Sequence, residues 1–250
     1  MVNYLLIFTF DGLYFNGTQI QNDYYTVQGL LKEKLEQLFN LEIPIKMGSR
    51  LDKGVSAKEF IANFITEEKF EPKQLVYVLN RLLPNYIRIL DCKFVPLEFV
   101  SRINSYMKRY EYNINFGKHN PLTDRFYSNF VYKCDIDKFL KTLLLFKGEH
   151  DFSNFISLDD LKEDKYKKIE DVKIIKENEY KYKIYITGKA FGRYQIRYMI
   201  GASLQVGLNK LNIDDIKNKL DGINKEHISL KADANGLILD KVFYKENVKD

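Results

Sequence analysis

The period of the hydrophobic pattern changes several times along the chain, and each change marks a predicted element. Tyr4 to Phe10 is a run of aliphatic and aromatic residues that stops at Asp11-Gly12, as a strand does on entering a loop. Val27, Leu30, Leu31, Leu35 and Leu38 then recur at helical spacing behind Thr26, whose hydroxyl can cap a helix start. Ile43 to Met47 and Glu59 to Thr66 read as two further strands, with the loop Gly48 to Ser56 between them. A second helix is predicted from Pro72, whose fixed φ suits a first turn, to Leu83. Pro84 stops it ahead of a strand from Tyr86 to Val95.

The second half repeats this order in outline. Lys108 to Phe116 reads as a strand, and Asp137 to Phe146 as a helix ended by Gly148. Val172 to Lys176 and Tyr180 to Thr187 flank the turn-like Glu177-Asn178-Glu179, which suggests a hairpin. Arg193 to Leu208 reads as a helix containing Gly201. An interior glycine costs a helix about 1 kcal/mol, so its presence implies close packing there. Gly236 to Tyr244 supplies a last strand. Interleaved strands and helices in both halves define an α/β or α+β chain with two related lobes, residues 1–104 and 105–250.

Composition narrows the function classes. With 250 residues, 45% of them hydrophobic, the chain can bury a sizeable core. The 39 Lys and Arg against 34 Asp and Glu permit a polyanionic partner without demonstrating one. Cys92 and Cys134, with His119, His150 and His227, offer no zinc-ligand spacing, so neither a metal nor a disulfide framework is expected. The first residues lack the charge and apolar pattern of a leader, and no apolar run reaches spanning length, so a cytoplasmic location is expected. The lysine-dense stretch from Leu161 to Lys183 is mixed with acids and reads as a solvated face or insertion.

The loop after Met47 carries the candidate chemistry. Asp52 stands two residues after Arg50 and two before Gly54, where a loop can present a carboxylate; alone, it reads rather as a turn residue. Ser49-Arg50-Leu51-Asp52-Lys53-Gly54-Val55-Ser56-Ala57 resembles the catalytic signature Gly-Arg-Thr-Asp-Ala-Gly-Val-His-Ala of the tRNA pseudouridine synthase A family. Other segments resemble that family's motifs in its order: Phe10 to Gln21, Thr26 to Gly29, Leu79 to Pro84, Phe99 to Arg102, Lys108 to Tyr112, Gly148 to Phe155, Phe191 to Gly201, and Ala232 to Leu239.

The resemblance implies a pseudouridine synthase fold, with mixed, largely antiparallel sheets flanked by helices and an active-site cleft between the lobes. It also implies uridine isomerisation in the anticodon stem-loop of tRNA. The base leaves C1′ of its ribose through N1, turns, and reattaches through C5. Nothing is added or removed, so no cofactor is expected.

Asp52 would be the essential carboxylate, as nucleophile or as base at the sugar, and Arg197 its candidate ion-pair partner. By itself Arg197 also reads as a solvated helix arginine. Tyr110 would stack on the displaced uracil or move a proton, where an unaided reading makes it a core aromatic. Arg50 would contact phosphate or help extrude the target nucleotide, with Arg102 and Lys108 on backbone phosphate nearby. Phe152, Phe155 and Phe191 read as packing residues. The family's homodimer is implied as well.

The chain departs from the pattern at Thr18, where the family has Trp, and at Leu51 and Ser56 beside Asp52. Arg193 and Tyr194 replace two histidines, which makes Arg193 a candidate RNA contact. Lys53 replaces a small residue and could bind phosphate or simply face outward. These departures bear on which RNA is chosen, because target choice depends on contacts around the flipped nucleotide. Two other readings stay open: a paralogue acting on another structured RNA such as ribosomal RNA, and an RNA-binding or RNA-folding module without catalysis. A glycosidase would need a second carboxylate, for which Asp11 is the nominee.

Overall fold

The structure is a computed structural model that describes residues 1–67, 69–160 and 165–246. In chain order its elements are β1 (Val2–Phe10), α1 (Val27–Phe39), β2 (Lys46–Met47), β3 (Ser56–Thr66), α2 (Pro72–Leu82), β4 (Ile87–Val95), α3 (Ser101–Asn104) and β5 (Ser105–Asn115). There follow β6 (Ser128–Asn129), α4 (Ile136–Leu144), β7 (Gly148–Asp151), β8 (Tyr166–Lys176), β9 (Lys181–Gly188), α5 (Gln195–Gly207), α6 (Ile213–Leu220) and β10 (Leu237–Tyr244). The class is α+β, with mixed sheets flanked by helices.

Two compact units divide the chain, Met1–Lys108 with Ile238–Asp250, and Arg109–Leu237. The sequence pattern runs the lobes consecutively, with a boundary at residue 104. In the structure the last strand returns to the first unit, because β10 pairs in parallel with β3 through Ile238↔Ser56 and Leu239↔Ala57. Hydrophobic patterning marks β10 as a strand but does not encode its neighbour.

In the first unit β1 lies between β4 and β3, antiparallel to both, with Tyr4 opposite Phe64 and Phe94. A register shift between Phe8 and Phe10 bends β1 where it delivers the chain to Asp11. Tyr4, Phe8, Phe60 and Phe64 are essentially inaccessible, and Tyr4 stacks on Phe64 with centroids 5.1 Å apart. Helix α1 starts where Thr26 accepts the Gly29 N–H, and it buries Leu31 and Leu35 completely. Each such leucine contributes about 1.5–3 kcal/mol. Of the strand read from Ile43 to Met47, only Lys46–Met47 pairs, against Asn63 and Ala62.

In the second unit β9 lies between β5 and β8, and β7 follows on β8. Strand β8 is longer than its apolar alternation implies, because Tyr166 to Asp171 also adopt strand geometry, the first of them paired with β7. Much of the lysine-dense run therefore lies on paired strands, while its residues 161–164 lie outside the described residues. Helix α6 has no counterpart in the hydrophobic reading. It is set by a capping box in which Asn212 and Asp215 satisfy each other's backbone N–H groups.

Candidate active site

The segment before β3 is fixed from beneath by the loop that follows β1. Thr18 is wholly buried. Its hydroxyl accepts the Leu51 N–H at 2.9 Å, and its own N–H donates to the Leu51 carbonyl at 3.1 Å. Gly17 adopts φ +93°, and a Cβ there would stand 2.8 Å from the Leu51 oxygen, so only glycine allows this approach. On the far side of Asp52 the Val55 N–H closes a turn onto the Asp52 carbonyl at 3.2 Å, with Gly54 at φ +81°. The Ser56 hydroxyl then accepts the Gly12 N–H at 2.9 Å.

The consequence is alternation. Leu51 and Val55 are buried and anchor the loop, Asp52 is half-buried, and Arg50 and Lys53 are exposed on either side of it. The carboxylate thus stands on a backbone bound on both sides, with an exposed cation before and after it in sequence. Asp11 is engaged otherwise: its carboxylate caps the 3-10 turn at Gly12–Tyr14 by accepting the Leu13 N–H.

Beside the same loop, Tyr14 stacks on Tyr86 with centroids 4.2 Å apart, and Phe15 on Tyr25 at 5.3 Å. The two pairs are joined by the hydroxyls of Tyr25 and Tyr86 at 2.9 Å. Tyr14, Tyr24 and Tyr25 are exposed, and rings of this kind serve as platforms for unpaired bases. Sequence reading passed over this cluster, because Tyr86 lies 61 residues from Tyr25 and only the fold joins them.

Further basic groups of the first unit lie on α3 and the start of β5. Asn63, buried, donates to the Asn3 side-chain Oδ1 and the Phe99 backbone carbonyl and accepts the Ser101 N–H at 2.8 Å, which fixes the segment carrying exposed Arg102. Partial burial, with the Arg102 guanidinium near it, pushes the Lys108 amine below its usual range.

In the second unit Tyr110 is buried on β5, its ring meeting Phe191 edge-on at 5.1 Å. Tyr112 is completely buried and donates to the Asp233 carbonyl at 3.1 Å; burial drives its phenol upward. Arg197 is half-buried on α5. Its Nε donates to the Ala232 carbonyl at 2.7 Å, and the Ala232 N–H returns a bond to the Arg197 carbonyl at 3.0 Å. Gly201, one turn on, makes this contact possible, since a Cβ would fall 1.8 Å from the Leu230 oxygen. Arg193 is half-buried, with Asp159 at 3.4 Å. Phe152 and Phe155 are core residues.

The first unit thus brings Arg50, Asp52 and Lys53 onto one loop, with Arg102 and Lys108 on neighbouring segments. The second holds Tyr110, Arg193 and Arg197. Among the described residues no group of three or more His, Cys, Asp or Glu side chains could hold a metal ion, and no helix is long and apolar enough to cross a membrane.

Comparison with known proteins identifies a family. A family model described as tRNA pseudouridine synthase matches residues 143–245. tRNA pseudouridine synthase A of Clostridium kluyveri is 34% identical over 98% of this chain and 100% of its own length. The protein of the same name from Clostridium botulinum is 33% identical over 98% of this chain and 100% of its own. A solved Cbf5-Nop10-Gar1 complex includes a chain 14% identical, aligned over 95% of this one with a TM-score of 0.42, and this chain spans about half (51%) of it. At full length and this level of identity, the chain belongs to the tRNA pseudouridine synthase A family.

Proposed function

We propose that the protein is an isomerase that converts uridine to pseudouridine in the anticodon stem-loop of tRNA, with Asp52 as its essential carboxylate. The observation that carries this reading is the Asp52 loop itself. It combines the family's Arg, Asp, Gly and Val with a backbone bound on both sides of the carboxylate, within a chain whose full-length relatives bear that enzyme's name. Asp52 acts at the sugar as nucleophile or base, and both roles need it ionised. Arg50 and Lys53, exposed on either side, are suited to backbone phosphates. Tyr110 handles the displaced uracil, Arg197 supports the reaction electrostatically, and Arg102, Lys108 and Arg193 bind RNA. The target base must be flipped out to meet them. Resemblance to the family supports a homodimer working in the cytoplasm, and sedimentation of the purified protein tests the dimer.

Tritium release tests the chemistry, because isomerisation at C5 frees the hydrogen of 5-tritiated uridine. Wild type should release tritium from tRNA, and Asp52→Asn should release none while still binding. Equal activity in both would remove Asp52 from the reaction. Carbodiimide-dependent primer extension on RNA from cells with and without the gene tests the target. Sites lost from ribosomal RNA, with tRNA unchanged, would favour the paralogue. Binding of tRNA by a wild type that releases no tritium would favour the non-catalytic module.

A further inference from the structure

In the second unit three cations converge on one ring. Lys231 Nζ lies 3.9 Å from the Tyr194 ring centroid, the Arg193 guanidinium 4.8 Å and the Arg197 guanidinium 5.4 Å. The ring attracts each of them through its quadrupole, and an anion beside the ring would be drawn to all three.

The backbone is arranged to make the convergence. Tyr194 is the N-cap of α5 and takes the left-handed conformation (φ 64°, ψ 2°), which costs a residue other than glycine and is concentrated at functional sites. Its hydroxyl accepts an Arg193 N–H at 3.0 Å. Arg197 is fixed by its reciprocal bonds to Ala232, and Lys231 is the residue before Ala232, so one docking contact presents both to the ring.

Two further features favour an anionic ligand. The N-terminus of α5 carries positive partial charge, and there Gln195, 1% exposed, accepts the Gly192 N–H while its Nε2 donates to no protein atom among the described residues. Asp159, which also reaches Arg193, has a side chain that is 80% exposed, and a surface pair of this kind is weak.

We propose that Tyr194 is a positioning residue that gathers Arg193 and Lys231, beside Arg197, into a clamp for a backbone phosphate of the RNA substrate, with Lys231 as a direct contact. The identity of the polyanion rests on the pseudouridine synthase reading. The clamp reads no base, so it contributes affinity and placement rather than sequence choice.

Binding of an unmodified tRNA transcript, measured at several salt concentrations beside tritium release, tests the clamp. Lys231→Ala should weaken binding about tenfold at low salt and lower the slope of log affinity against log salt by about 0.7–0.9, the loss of one phosphate contact. Tyr194→Leu and Tyr194→Gly should behave alike, and Tyr194→Phe, which keeps the ring, should stay within about twofold of wild type. Glycine suits the left-handed backbone, so Tyr194→Gly should melt no lower than wild type, which separates loss of the ring from loss of the fold. Wild-type affinity and slope in Lys231→Ala overturn the contact. Wild-type values in Tyr194→Gly overturn the positioning role. A wild type that binds tRNA with the expected salt slope but releases no tritium removes the catalytic reading and leaves the clamp standing. Normal turnover together with unchanged variants removes the clamp alone.

Discussion

Thr18 and Leu51 are bound to each other twice, through the Thr18 hydroxyl to the Leu51 N–H at 2.9 Å and through the Thr18 N–H to the Leu51 carbonyl at 3.1 Å. Leu51 immediately precedes Asp52, so these bonds determine where the carboxylate stands. Thr18→Val keeps the side chain's shape and removes the acceptor, leaving the Leu51 N–H buried without it. A loss of about 1–3 kcal/mol is expected in urea unfolding. The initial rate of tritium release at saturating tRNA should fall by a larger factor than KM rises. Thr18→Ser, which retains the hydroxyl, should restore most of the rate; a rate as low as that of Thr18→Val would mean that the hydroxyl bond is not what places the loop.

Gly201 makes a second backbone contact that a side chain cannot share. Gly201→Ala would press a methyl group against the Leu230 carbonyl, since the added carbon falls 1.8 Å from that oxygen. Helix α5 and the Leu230–Ala232 segment must part, and Arg197 loses its geometry with Ala232. Destabilisation of at least about 2 kcal/mol is expected. In variants that remain folded at low temperature, kcat should fall as well. A fully stable and active Gly201→Ala protein would show that the segment can slide away freely.

Gly201 also illustrates what the chain discloses in advance. A glycine inside a helical pattern signals close approach, and the structure supplies the partner, Leu230, which no local pattern names. Helix α1 was legible because Thr26 caps it and leucines recur behind the cap. Helix α6 was not, because its buried apolar face is only Ile216 and Leu220 within eight residues, too short a pattern to stand out. The Asp52 loop was legible as a motif, whereas its support was not. Thr18 looked like a departure from the family pattern, and only the fold makes it the residue that holds Leu51. The Tyr194 cluster likewise needs Lys231, 37 residues on (231 less 194), brought back by the docking of Ala232 onto α5.

Tyr110 can be tested without disturbing its packing. Its ring meets Phe191 at 5.1 Å, a contact that Tyr110→Phe retains while removing only the hydroxyl. Thermal stability should fall by no more than the loss of one hydrogen bond, about 0.5–1.5 kcal/mol. Turnover should fall about a hundredfold, the usual range for loss of a proton-transfer group. Full activity in Tyr110→Phe would leave the residue a stacking role alone.

Asp124 provides a pH-dependent test of the second unit. Its side chain is wholly inaccessible; burial disfavours its charge, but Lys181, the Asn120 N–H and the Thr123 hydroxyl outweigh that cost and hold its pKa at about 2. The folded value is thus below the ordinary carboxylate value of 3.8. A depressed folded pKa stabilises the protein above the unfolded value, and that stability drains away as pH falls from about 4 through about 2. The contribution is on the order of 1–2 kcal/mol. Asp124→Asn cannot titrate, so it should be less stable than wild type at pH 7, with the difference shrinking across this window. Chemical denaturation at pH 7, 4 and 3 measures it. A difference that stays constant with pH would mean that Asp124 contributes through hydrogen bonds that do not depend on its charge, and that the Lys181 ion pair adds nothing of its own.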